Sequence, residues 1–565
     1  MIVESRLQRP SELGADLPAF LRDALASRGA TRQADLDLSL NGLLAPESLP
    51  GISGATRRLA RAVASDERIL VCGDFDADGA TASALCVSAL RAFGAGQVDF
   101  LVPNRFDFGY GLTPELVDVA LQREPDVIVT VDNGVSSIAG VTRARDQGVD
   151  VIVTDHHLPG SQLPPAYAMV NPNLPDSSFP SPNLAGVGVA FYVMAALRSR
   201  LRDAGHFTSR GIAEPNLADW LDLVALGTVA DVVPFDRNNR ILVHQGLRRI
   251  RSGRARPGIR ALVEVSGRAA SRMTAKDLGF AIGPRLNAAG RLQDMSIGIQ
   301  CLLAEDEGRA RPQAEALDEY NRARREIEVG MVDEAVGLVD AEKFADDVAI
   351  CVYQEDWHQG IIGIVAGRLR ERYHRPAIVF ADGGTHPGDL KGSARSIPGL
   401  HIRDAIADCS ARYPGMIGPY GGHAMAAGLS LKRAQLERFR NAFNEAVASR
   451  VSERDLAGVI LTDGELAGAD LKIENARVIT AYGPWGQGFE EPLFHGEFDV
   501  VMQRVVGERH LKLALKRDGR VADAIAFNQE PVAGNRVSVV YRLAVNDYGP
   551  ADTLQLEIEA LEPVT

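Results

Sequence analysis

At 565 residues the chain is long enough for roughly three or four domains, and its content of 46% hydrophobic and 24% charged residues is typical of a globular protein. A net charge of −13 argues against a protein that coats nucleic acid over its whole surface, but a local basic groove is compatible with it. We expect no membrane span, because no apolar run approaches about 20 residues, and no secretory signal, because the N-terminus lacks an apolar core. Five scattered cysteines without a Cys-x-x-Cys pair argue against a disulfide framework or a zinc site, so we expect a cytoplasmic protein.

The first half of the chain alternates predicted strands with predicted helices. Residues 1–49 are predicted to form a helical lead-in, and the alternation begins near residue 68. The strands are predicted at 69–73, 127–131 and 149–153, and the helices at 80–93, 114–122, 185–201 and 217–226. Apolar β-branched strands that alternate with helices indicate a parallel α/β sheet, here in a domain over residues 50–255.

The next segment contains a long helix and a smaller α/β lobe. Within a linker region over residues 256–345, the dense charge and helical period of 307–339 predict a helix that spans two lobes. A second α/β lobe is predicted over residues 346–452. Its predicted elements are strands at 348–353 and 376–380 and a helix at 361–373.

Residues 453–565 are rich in strands. The predicted strands lie at 498–506, 511–516, 522–527, 537–545 and 554–561. Five strands separated by turns favour a small barrel of the OB type, which often binds single-stranded nucleic acid. A structural β-domain that binds nothing is the alternative. The predicted fold class is therefore α/β: a parallel-sheet domain, a second smaller α/β domain joined by a long helix, and a C-terminal OB-like barrel.

Three carboxylates follow directly after the first apolar strand. Asp74, Asp76 and Asp78 occupy alternate positions there. Buried strands do not normally end in three charges, because an unpaired buried carboxylate is costly to desolvate. Divalent cations are the natural partners of such oxygen ligands. Taken alone, a solvated turn with helix-capping aspartates explains the pattern at least as well as a metal site.

Further acidic and histidine side chains strengthen the case for a metal site. They are Asp132 after the second predicted strand, Asp155, His156 and His157 after the third, and Asp231 after the last predicted helix of this domain. Because the carboxyl ends of parallel strands line one crevice, we expect these side chains to lie close together. Carboxylates with imidazoles are a ligand set that suits Mn²⁺ or Mg²⁺.

Several longer motifs carry a resemblance to a known family. They are Asp-Phe-Asp-Ala-Asp-Gly at 74–79, Asp-Asn-Gly at 132–134, Asp-His-His at 155–157, Gly-Thr-Val-Ala-Asp-Val-Val-Pro at 227–234, Gly-Pro-Arg-Leu-Asn-Ala-Ala-Gly-Arg at 283–291, Asp-Trp-His-Gln-Gly-Ile-Ile-Gly at 356–363, Lys-Gly-Ser-Ala-Arg-Ser at 391–396 and Gly-Gly-His-Ala-Met-Ala-Ala-Gly at 421–428. From about residue 50 to the C-terminus, the chain resembles the DHH phosphoesterase superfamily and, within it, the bacterial single-strand-specific 5′→3′ DNA exonucleases.

The resemblance implies a hydrolase that degrades single-stranded DNA from the 5′ end, releases nucleotide 5′-monophosphates, and acts in DNA repair and recombination. It also implies two divalent cations, Mn²⁺ or Mg²⁺, which in such sites lie roughly 3.5–4 Å apart and activate a water molecule. By resemblance, the ligands are Asp76 for one ion, Asp132 as the bridge between both, and Asp78, His156 and Asp231 for the second. Asp74 fits a supporting role.

Cys72 stands where the pyrophosphatase-like branch has a histidine, which argues against that branch and leaves the first ion fewer ligands. Beside the metal ligands, His157 is expected to position the phosphate or to protonate the leaving oxygen, with a supporting hydrogen-bond role as the alternative.

Phosphate contacts are expected in both lobes. By resemblance and by residue chemistry they are Arg105, Arg285, Ser393, Arg395 and His423. A pocket for a terminal 5′-phosphate would impose the polarity of digestion. Tyr110, with Phe106 and Phe108, is a candidate for stacking on bases, and His358 and Trp357 are candidates for the cleft, with packing as the alternative in each case. Without the other motifs, residues 421–428 would be read as a tight turn into a small-residue helix.

Two other functions stay open at this point: an oligonucleotidase or phosphatase of the DHH type that acts on very short nucleotides, and a non-catalytic single-strand-binding replication factor. Single-stranded DNA is the expected partner of a monomer, and a single-strand-binding protein and a helicase are further candidates by resemblance. Gly186-Val-Gly-Val-Ala190 faintly resembles a dinucleotide loop, but it follows no strand, so we assign it to helix packing.

Overall fold

The protein consists of two α/β regions, a long helix that contacts both, and a closed β-barrel. The structure is a computed structural model and describes residues 2–104, 108–341, 347–383, 386–507, 509–547 and 551–564. Its sheets are one of two strands, two of five strands, and the five-stranded barrel. The predicted fold class is therefore confirmed.

The N-terminal region contains one strand, one helix and several short turns. β1 (Ile2–Ser5) pairs in parallel with β12 (Val459–Thr462), and α1 (Ala19–Ser27) is the helix that follows. Between α1 and the next helix, residues 28–51 contain short 3₁₀ turns rather than α-helix. The prediction of a helical lead-in therefore holds only for α1, because the strand is created by pairing with a segment more than 450 residues away.

The first domain has five parallel strands in the order β3-β2-β4-β5-β6. The strands are β2 (Ile69–Gly73), β3 (Val98–Leu101), β4 (Val127–Val131), β5 (Asp150–Thr154) and β6 (Ala168–Val170). The helices are α2 (Ile52–Ala64), α3 (Ala77–Ala92), α4 (Pro114–Leu121), α5 (Ile138–Asp146), α6 (Gly186–Asp203), α7 (His206–Arg210), α8 (Leu221–Ala230) and α9 (Arg237–Arg251). The strands β2 and β4 are buried along their whole length because helices cover both faces of the sheet.

A group of helices leads from this domain to the second lobe. They are α10 (Pro257–Val265), α11 (Ala275–Asp277), α12 (Gly283–Leu292), α13 (Ser296–Leu303) and α14 (Glu307–Ala341). The first half of α14 shares a core with the first domain through Ala310, Ala314 and Leu317. Its second half packs against the second lobe through Met331 and Ala335. The predicted spanning helix is thus confirmed.

The second lobe has a mixed sheet in the order β10-β11-β9-β8-β7, in which only β7 and β8 are parallel. Its elements are β7 (Ile350–Tyr353), α15 (Ile362–Tyr373), β8 (Ala377–Asp382), β9 (Asp389–Arg395), α16 (Ile402–Arg412), β10 (Ile417–Gly422), β11 (Ala426–Lys432) and α17 (Leu436–Ala448). Residues 421–428 form the turn of the β10–β11 hairpin, so a turn into a helix is wrong.

The C-terminal region begins with α18 (Glu453–Ala457), β12 and α19 (Ile473–Ala481) and ends in the barrel. The barrel closes in the order β13-β14-β15-β17-β16. Its strands are β13 (Phe494–Val506), β14 (His510–Arg517), β15 (Arg520–Ala526), β16 (Arg536–Asn546) and β17 (Thr553–Pro563). Each predicted strand corresponds to one of these five. Within the described ranges, no helix combines the length and the apolar character needed to cross a membrane.

A buried ion pair joins the N-terminal region to the segment after β12. The Arg28 guanidinium donates to both carboxylate oxygens of Asp463, at 2.6 and 2.8 Å, and both side chains are only 1% exposed. Removing one partner leaves the other charge buried and unpaired, so Asp463→Ala is expected to lower the free energy of unfolding by about 3–5 kcal/mol, as measured by urea denaturation.

The matched control for this prediction is Glu4→Ala. It removes the exposed pair between Glu4 and Arg454, whose side chains are 40% and 65% exposed. Exposed pairs contribute less than about 1 kcal/mol, so this change is expected to be small. Equal losses in the two variants would contradict the role of burial.

Candidate metal centre and phosphate cleft

The ends of three neighbouring strands bring most of the predicted metal ligands together. β2, β4 and β5 are parallel neighbours, so their carboxyl ends lie at one edge of the sheet. Asp74 follows β2, Asp132 follows β4, and Asp155 follows β5. Asp231 reaches the same crevice from the C-terminal end of α8, which packs against α3 and α6. The expected single crevice is the arrangement observed.

Three overlapping groups of side chains in this crevice have the spacing of a metal site. Within each group the potential ligand atoms lie within 4.8 Å of one another; the groups are Asp74, Asp76 and Asp132, then Asp78, His156 and Asp231, then Asp132, His156 and His157. Asp132 and His156 each belong to two groups, and of the two only the carboxylate has two oxygens that could bind two ions, so Asp132 is the candidate for a bridging ligand. Asp74 belongs to the same group as Asp76, so it is close enough to bind an ion directly. The supporting role expected for Asp74 stays a prediction.

The donor set fits a divalent cation. His156 Nε2 lies 3.1 Å from Asp132 Oδ1 and 3.4 Å from Asp231 Oδ2. All three atoms are buried, and none has a hydrogen-bond partner among the residues that the structure describes. Converging buried acceptors without donors are unfavourable unless a cation neutralises them. Carboxylate oxygens with an imidazole nitrogen suit Mn²⁺ and also Mg²⁺.

The closely spaced carboxylates also raise one another's pKa values. Burial, followed by the negative charges of Asp78 and Asp76, raises the pKa of Asp132 well above its ordinary value. Burial and the charge of Asp76 raise the pKa of Asp78 to about 7. Both carboxyl groups are therefore destabilised when ionised, which is the condition that a bound cation relieves.

Asp132→Asn is expected to raise the midpoint of thermal unfolding in EDTA at neutral pH by at least about 2 °C. The reason is that a neutral amide removes one buried like charge. Because the pKa of Asp132 is higher in the folded protein than when unfolded, its penalty grows as pH rises above the ordinary value of 3.8 and vanishes below it. The difference between the two proteins should therefore disappear in acid, as differential scanning calorimetry would show.

Saturating Mn²⁺ should reverse the order of the two midpoints, because only the wild type retains its full ligand set. A wild type that is more stable than the variant in EDTA at neutral pH would contradict the prediction.

The N-terminus of α6 holds Asp78 in place. The backbone N–H of Gly186 donates to one carboxylate oxygen at 2.6 Å, and that of Val187 donates to the other at 2.9 Å. Gly186 also lies against Asp132, since a Cβ built on it would be 2.5 Å from Asp132 Cβ. The assignment of this glycine to helix packing therefore missed its main role. The sequence feature that could have indicated this role is a glycine in the first turn of a predicted helix, because the N–H groups there bind anions.

Two ligand-bearing turns have an unusual backbone. Asp132 has a φ of 61°, and Val232, next to Asp231, has a φ of 60°. Non-glycine residues rarely adopt this left-handed region, and such strain concentrates at functional sites. The Asn133 side-chain amide fixes the first turn by donating to the carbonyls of Cys72 and Val131, at 3.1 and 2.9 Å.

His157 faces the crevice and is oriented by its neighbours. Its Nδ1 lies 2.7 Å from Asp155 Oδ1, and the Tyr110 hydroxyl lies 3.2 Å from the same nitrogen. Burial alone would lower the pKa of His157, but the hydrogen bond and charge of Asp155, with the charges of Asp74 and Asp76, raise it overall. The sequence grouped Asp155 with the candidate ligands but assigned it no role of its own.

The second lobe reaches the same crevice. The His423 ring lies parallel to the His157 ring, with centroids 6.5 Å apart and an interplanar angle of 21°. His423 lies in the tight turn after β10, where its N–H donates to the Ala426 carbonyl at 2.8 Å. Gly422 has a φ of 141°, and a Cβ there would be 2.4 Å from the Ala426 oxygen. This glycine is therefore required by the hairpin itself.

Ser393 and Arg395 form a small polar cradle on β9. The Arg395 guanidinium donates to Ser393 Oγ at 3.2 Å. Both groups lie beside the first turn of α15, where a Cβ built on Gly363 would be 2.9 Å from each of them. A hydroxyl, a guanidinium and a helix N-terminus are the components of a phosphate site. Burial and the charge of Arg370 lower the pKa of Arg395.

The structure does not bring every predicted contact to the crevice. The Arg285 guanidinium is 8% exposed and pairs with Asp318 of α14 at 2.8 Å, so its role as a phosphate contact stays a prediction. His358 Nδ1 accepts from the Gly360 N–H at 3.1 Å. The Trp357 indole donates to Glu334 of α14 at 2.8 Å, which supports its packing role.

The remaining predicted residues have other positions. Phe108 packs against the apolar cluster on the α4 side of the sheet, and Tyr110 is 49% exposed, with its ring at the edge of Phe75. Cys72 is buried in the same cluster as Phe108, and burial raises the pKa of its thiol to about 12. Arg105 and Phe106 lie outside the described residues.

Family models and curated relatives identify the same family along this chain. Residues 68–228 match the N-terminal domain of the DHH family, residues 346–449 match the DHHA1 domain, and residues 462–560 match the RecJ OB domain. The single-stranded-DNA-specific exonuclease RecJ of Dickeya dadantii is 51% identical over 100% of both chains. Its counterpart from Escherichia coli is 51% identical over 98% of this chain and 97% of that one.

Solved structures of the same family are also similar to this chain. The crystal structure of RecJ from Thermus thermophilus in complex with Mn²⁺ has a TM-score of 0.80 and 30% identity, and the match covers 96% of this chain and 75% of that one. The complex of the same protein with Mg²⁺ has a TM-score of 0.73 and 29% identity, over 96% of this chain and 74% of that one.

Proposed function

The chain belongs to the RecJ family, and from that premise we propose that it is a metal-dependent exonuclease that hydrolyses single-stranded DNA from the 5′ end and releases nucleotide 5′-monophosphates, in DNA repair and recombination. The observation that carries this proposal is the convergence of Asp132, His156 and Asp231, whose buried acceptor atoms have no hydrogen-bond partner in the described structure. That convergence favours catalysis over a non-catalytic binding factor, which has no need of such a site.

Two divalent cations fit the three overlapping ligand groups. We assign Asp76, with Asp74, to the first ion, Asp132 to both, and Asp78, His156 and Asp231 to the second. Bound there, divalent cations supply Lewis acidity for the phosphoryl oxygens and lower the pKa of a water molecule. Carboxylates that are preorganised by α6 and by the turn after β4 need no rearrangement to accept them.

His157 is the residue best placed to handle a proton. Asp155 accepts from its Nδ1, which fixes the ring and favours the protonated form. A protonated imidazole beside the metal ligands supplies a hydrogen bond to a phosphate oxygen and a proton for the leaving oxygen. The Tyr110 hydroxyl also contacts the ring, at 3.2 Å from the same Nδ1.

The second lobe supplies the phosphate site that sets polarity. Ser393, Arg395 and the N-terminus of α15 would hold the terminal 5′-phosphate, and His423 would contact the phosphate beside His157. A strand held by its terminal phosphate presents its first phosphodiester to the metal ligands, so digestion proceeds from that end.

The barrel is the proposed binding surface for the incoming strand. On the outer side of β13, β14 and β15, Arg504 is paired in register with Lys512, and His510 contacts the edge of Phe527, with ring centroids 5.2 Å apart. Phe527 is 56% exposed. Exposed aromatic rings beside cationic side chains are typical of surfaces that bind single strands. A monomeric state, a cytoplasmic location, and partnership with a single-strand-binding protein and a helicase are proposals that rest on family membership alone.

Hydrolysis of defined substrates tests the proposed function. Single strands labelled at the 5′ or the 3′ end, duplexes and dinucleotides would be incubated with the protein in Mn²⁺, Mg²⁺ or EDTA. Release of mononucleotides from the 5′ end of single strands, dependent on a divalent cation, is the expected result. Activity confined to dinucleotides would establish the oligonucleotidase alternative, and binding without hydrolysis would establish the replication-factor alternative.

Gly363→Ala is expected to raise the KM for single-stranded DNA by about tenfold with a smaller change in kcat. The new methyl group would lie 2.9 Å from both Ser393 Oγ and the Arg395 guanidinium, so it would displace groups that bind the substrate in the ground state. Steady-state kinetics on a 5′-phosphorylated oligonucleotide measures both constants.

Gly367→Ala, one turn along α15, is the matched control, because a Cβ there has no atom within 4 Å among those the structure describes. It is expected to keep both constants. Identical kinetics for the two variants would argue against the phosphate cradle.

A further inference from the structure

A cavity of about 300 Å³ lies between α9, the N-terminal region and the segment after α19, and none of its lining residues belongs to the metal-ligand groups. One wall is a stripe of α9 that includes Arg240, His244 and Arg248. These residues are spaced four apart, so they project from the same face of the helix. Tyr482, after α19, contributes to the opposite wall, and Ser39 of the N-terminal region contributes to the third.

The cavity is separate from the metal centre. α8 and α9 pack closely, since a Cβ on Gly246 would be 2.1 Å from the Leu221 carbonyl oxygen. Leu221 begins α8, whereas Asp231 follows its last residue. Gly246 also lies against Ala225, so the His244–Arg248 end of α9 lies roughly 9–15 Å along α8 from the metal ligand, and Arg240 lies closer to it.

The positive charge in the cavity is only partly compensated. Arg240 is 3% exposed, and its Nε is buried with no hydrogen-bond partner among the described residues. Its guanidinium lies 3.8 Å from the centre of the Phe489 ring, which holds it in place without neutralising it. Asp37 is the acidic residue among those that line the cavity, and its carboxylate accepts from the N–H and the hydroxyl of Ser39. Outside the lining, the charge of Asp35 also acts on Arg240, whose guanidinium donates to the Asp35 carbonyl at 3.4 Å.

The other side chains complete an anion-binding environment. The Arg248 guanidinium donates to the Gln245 side-chain oxygen at 3.3 Å, and the Gln245 amide donates to the Leu38 carbonyl. These hydrogen bonds fix the positions of both side chains in the cavity wall. Burial, followed by the charges of Arg248, Arg251 and Arg240, lowers the pKa of His244 to about 4. The imidazole is therefore neutral at neutral pH, and it is available as a hydrogen-bond donor beside two guanidinium groups.

We propose that this cavity between α9, the N-terminal region and the segment after α19 binds a phosphate group, with Arg240, His244 and Arg248 as its contacts. Guanidinium groups match phosphate oxygens in geometry and charge. The volume is at the small end of the range for ligand sites and fits a molecule of mononucleotide size. The phosphate comes either from a free nucleotide or from the backbone of the DNA strand.

Calorimetric titration of the full chain in EDTA tests the proposal. The probes are inorganic phosphate, deoxyadenosine monophosphate and an oligodeoxythymidylate, and every protein carries Arg395→Ala to weaken the phosphate cradle of the second lobe. Arg248→Glu is expected to weaken binding of at least one probe by roughly tenfold or more. Loss for the mononucleotide identifies a free nucleotide as the source, and loss for the oligonucleotide alone identifies the DNA backbone.

Arg254→Glu is the matched control, because it makes the same change of charge at an exposed arginine that donates to the Ser252 hydroxyl and does not line the cavity. His244→Trp, which fills the cavity, replaces Arg248→Glu if the latter fails to fold by circular dichroism. Equal binding of all three probes by the cavity variant and the Arg254→Glu control would overturn the proposal.

Discussion

Asp132→Ala is expected to reduce hydrolysis of single-stranded DNA by on the order of a thousandfold, which corresponds to about 4 kcal/mol of transition-state stabilisation. Asp132 belongs to two of the three ligand groups, so its loss affects both proposed ions. Among the described residues only His156 is also a member of two groups, and a neutral imidazole with one free nitrogen cannot bind both ions, while the neighbouring carboxylates have partners of their own. Asp76, for example, caps α3 by accepting from the N–H groups of Asp78 and Gly79.

The measurement is the rate of release of labelled mononucleotides in Mn²⁺. Calorimetry with Mn²⁺ should show weaker or fewer bound ions, while binding of an oligonucleotide in EDTA should be retained, because the phosphate cradle and barrel are unchanged. Asp146→Ala at the end of α5 removes an exposed carboxylate that lies near the start of β5, at the edge of the sheet opposite the ligand groups, and serves as the control. Activity of Asp132→Ala within tenfold of wild type would remove Asp132 from the bridging position.

Gly186→Ala is expected to reduce the same activity by about a hundredfold, although it removes no functional group. The added methyl group would lie 2.5 Å from Asp132 Cβ, 2.7 Å from its Oδ1 and 2.8 Å from its Cα. Real atoms do not approach so closely, so either α6 or the turn after β4 must move. A displacement of about 1 Å at a reacting centre is enough for a loss of this size.

The same shift would loosen the two N–H donors that hold Asp78. Affinity for Mn²⁺ should therefore fall together with the rate. Gly188→Ala, two residues along α6, is the control: its Cβ would meet the end of the Leu184 side chain at 3.1 Å, which can adjust. Equal activity of the two variants, with both proteins folded, would show that the crevice tolerates the methyl group.

The positions of the strands and of the carboxylates after them could be predicted from the sequence. Strands such as β2 and β4 are continuous apolar runs, and a charge directly after such a run lies at the end of the strand by local chain geometry alone. The rule that parallel strands share one functional edge then grouped Asp74, Asp132 and Asp155 without any coordinates.

The failures came from contacts between distant segments. β1 exists because it pairs with β12, more than 450 residues away, so its own pattern predicted nothing. The ion pair between Arg285 and Asp318 of α14 was not foreseen either, and the expected contact of Arg285 with phosphate stays a prediction.

The sequence alone determined the class of the fold, the candidate ligands and the family, because these depend on local periodicity and on long motifs. The tertiary structure decided how the ligands are held: the N-terminus of α6 against Asp78, Gly186 against Asp132, and His423 across from His157. These relations are short distances between residues that are far apart in the chain, and no local pattern encodes such distances. Their physical basis is close packing, which leaves room for a glycine, and not for a methyl group, beside the central carboxylate.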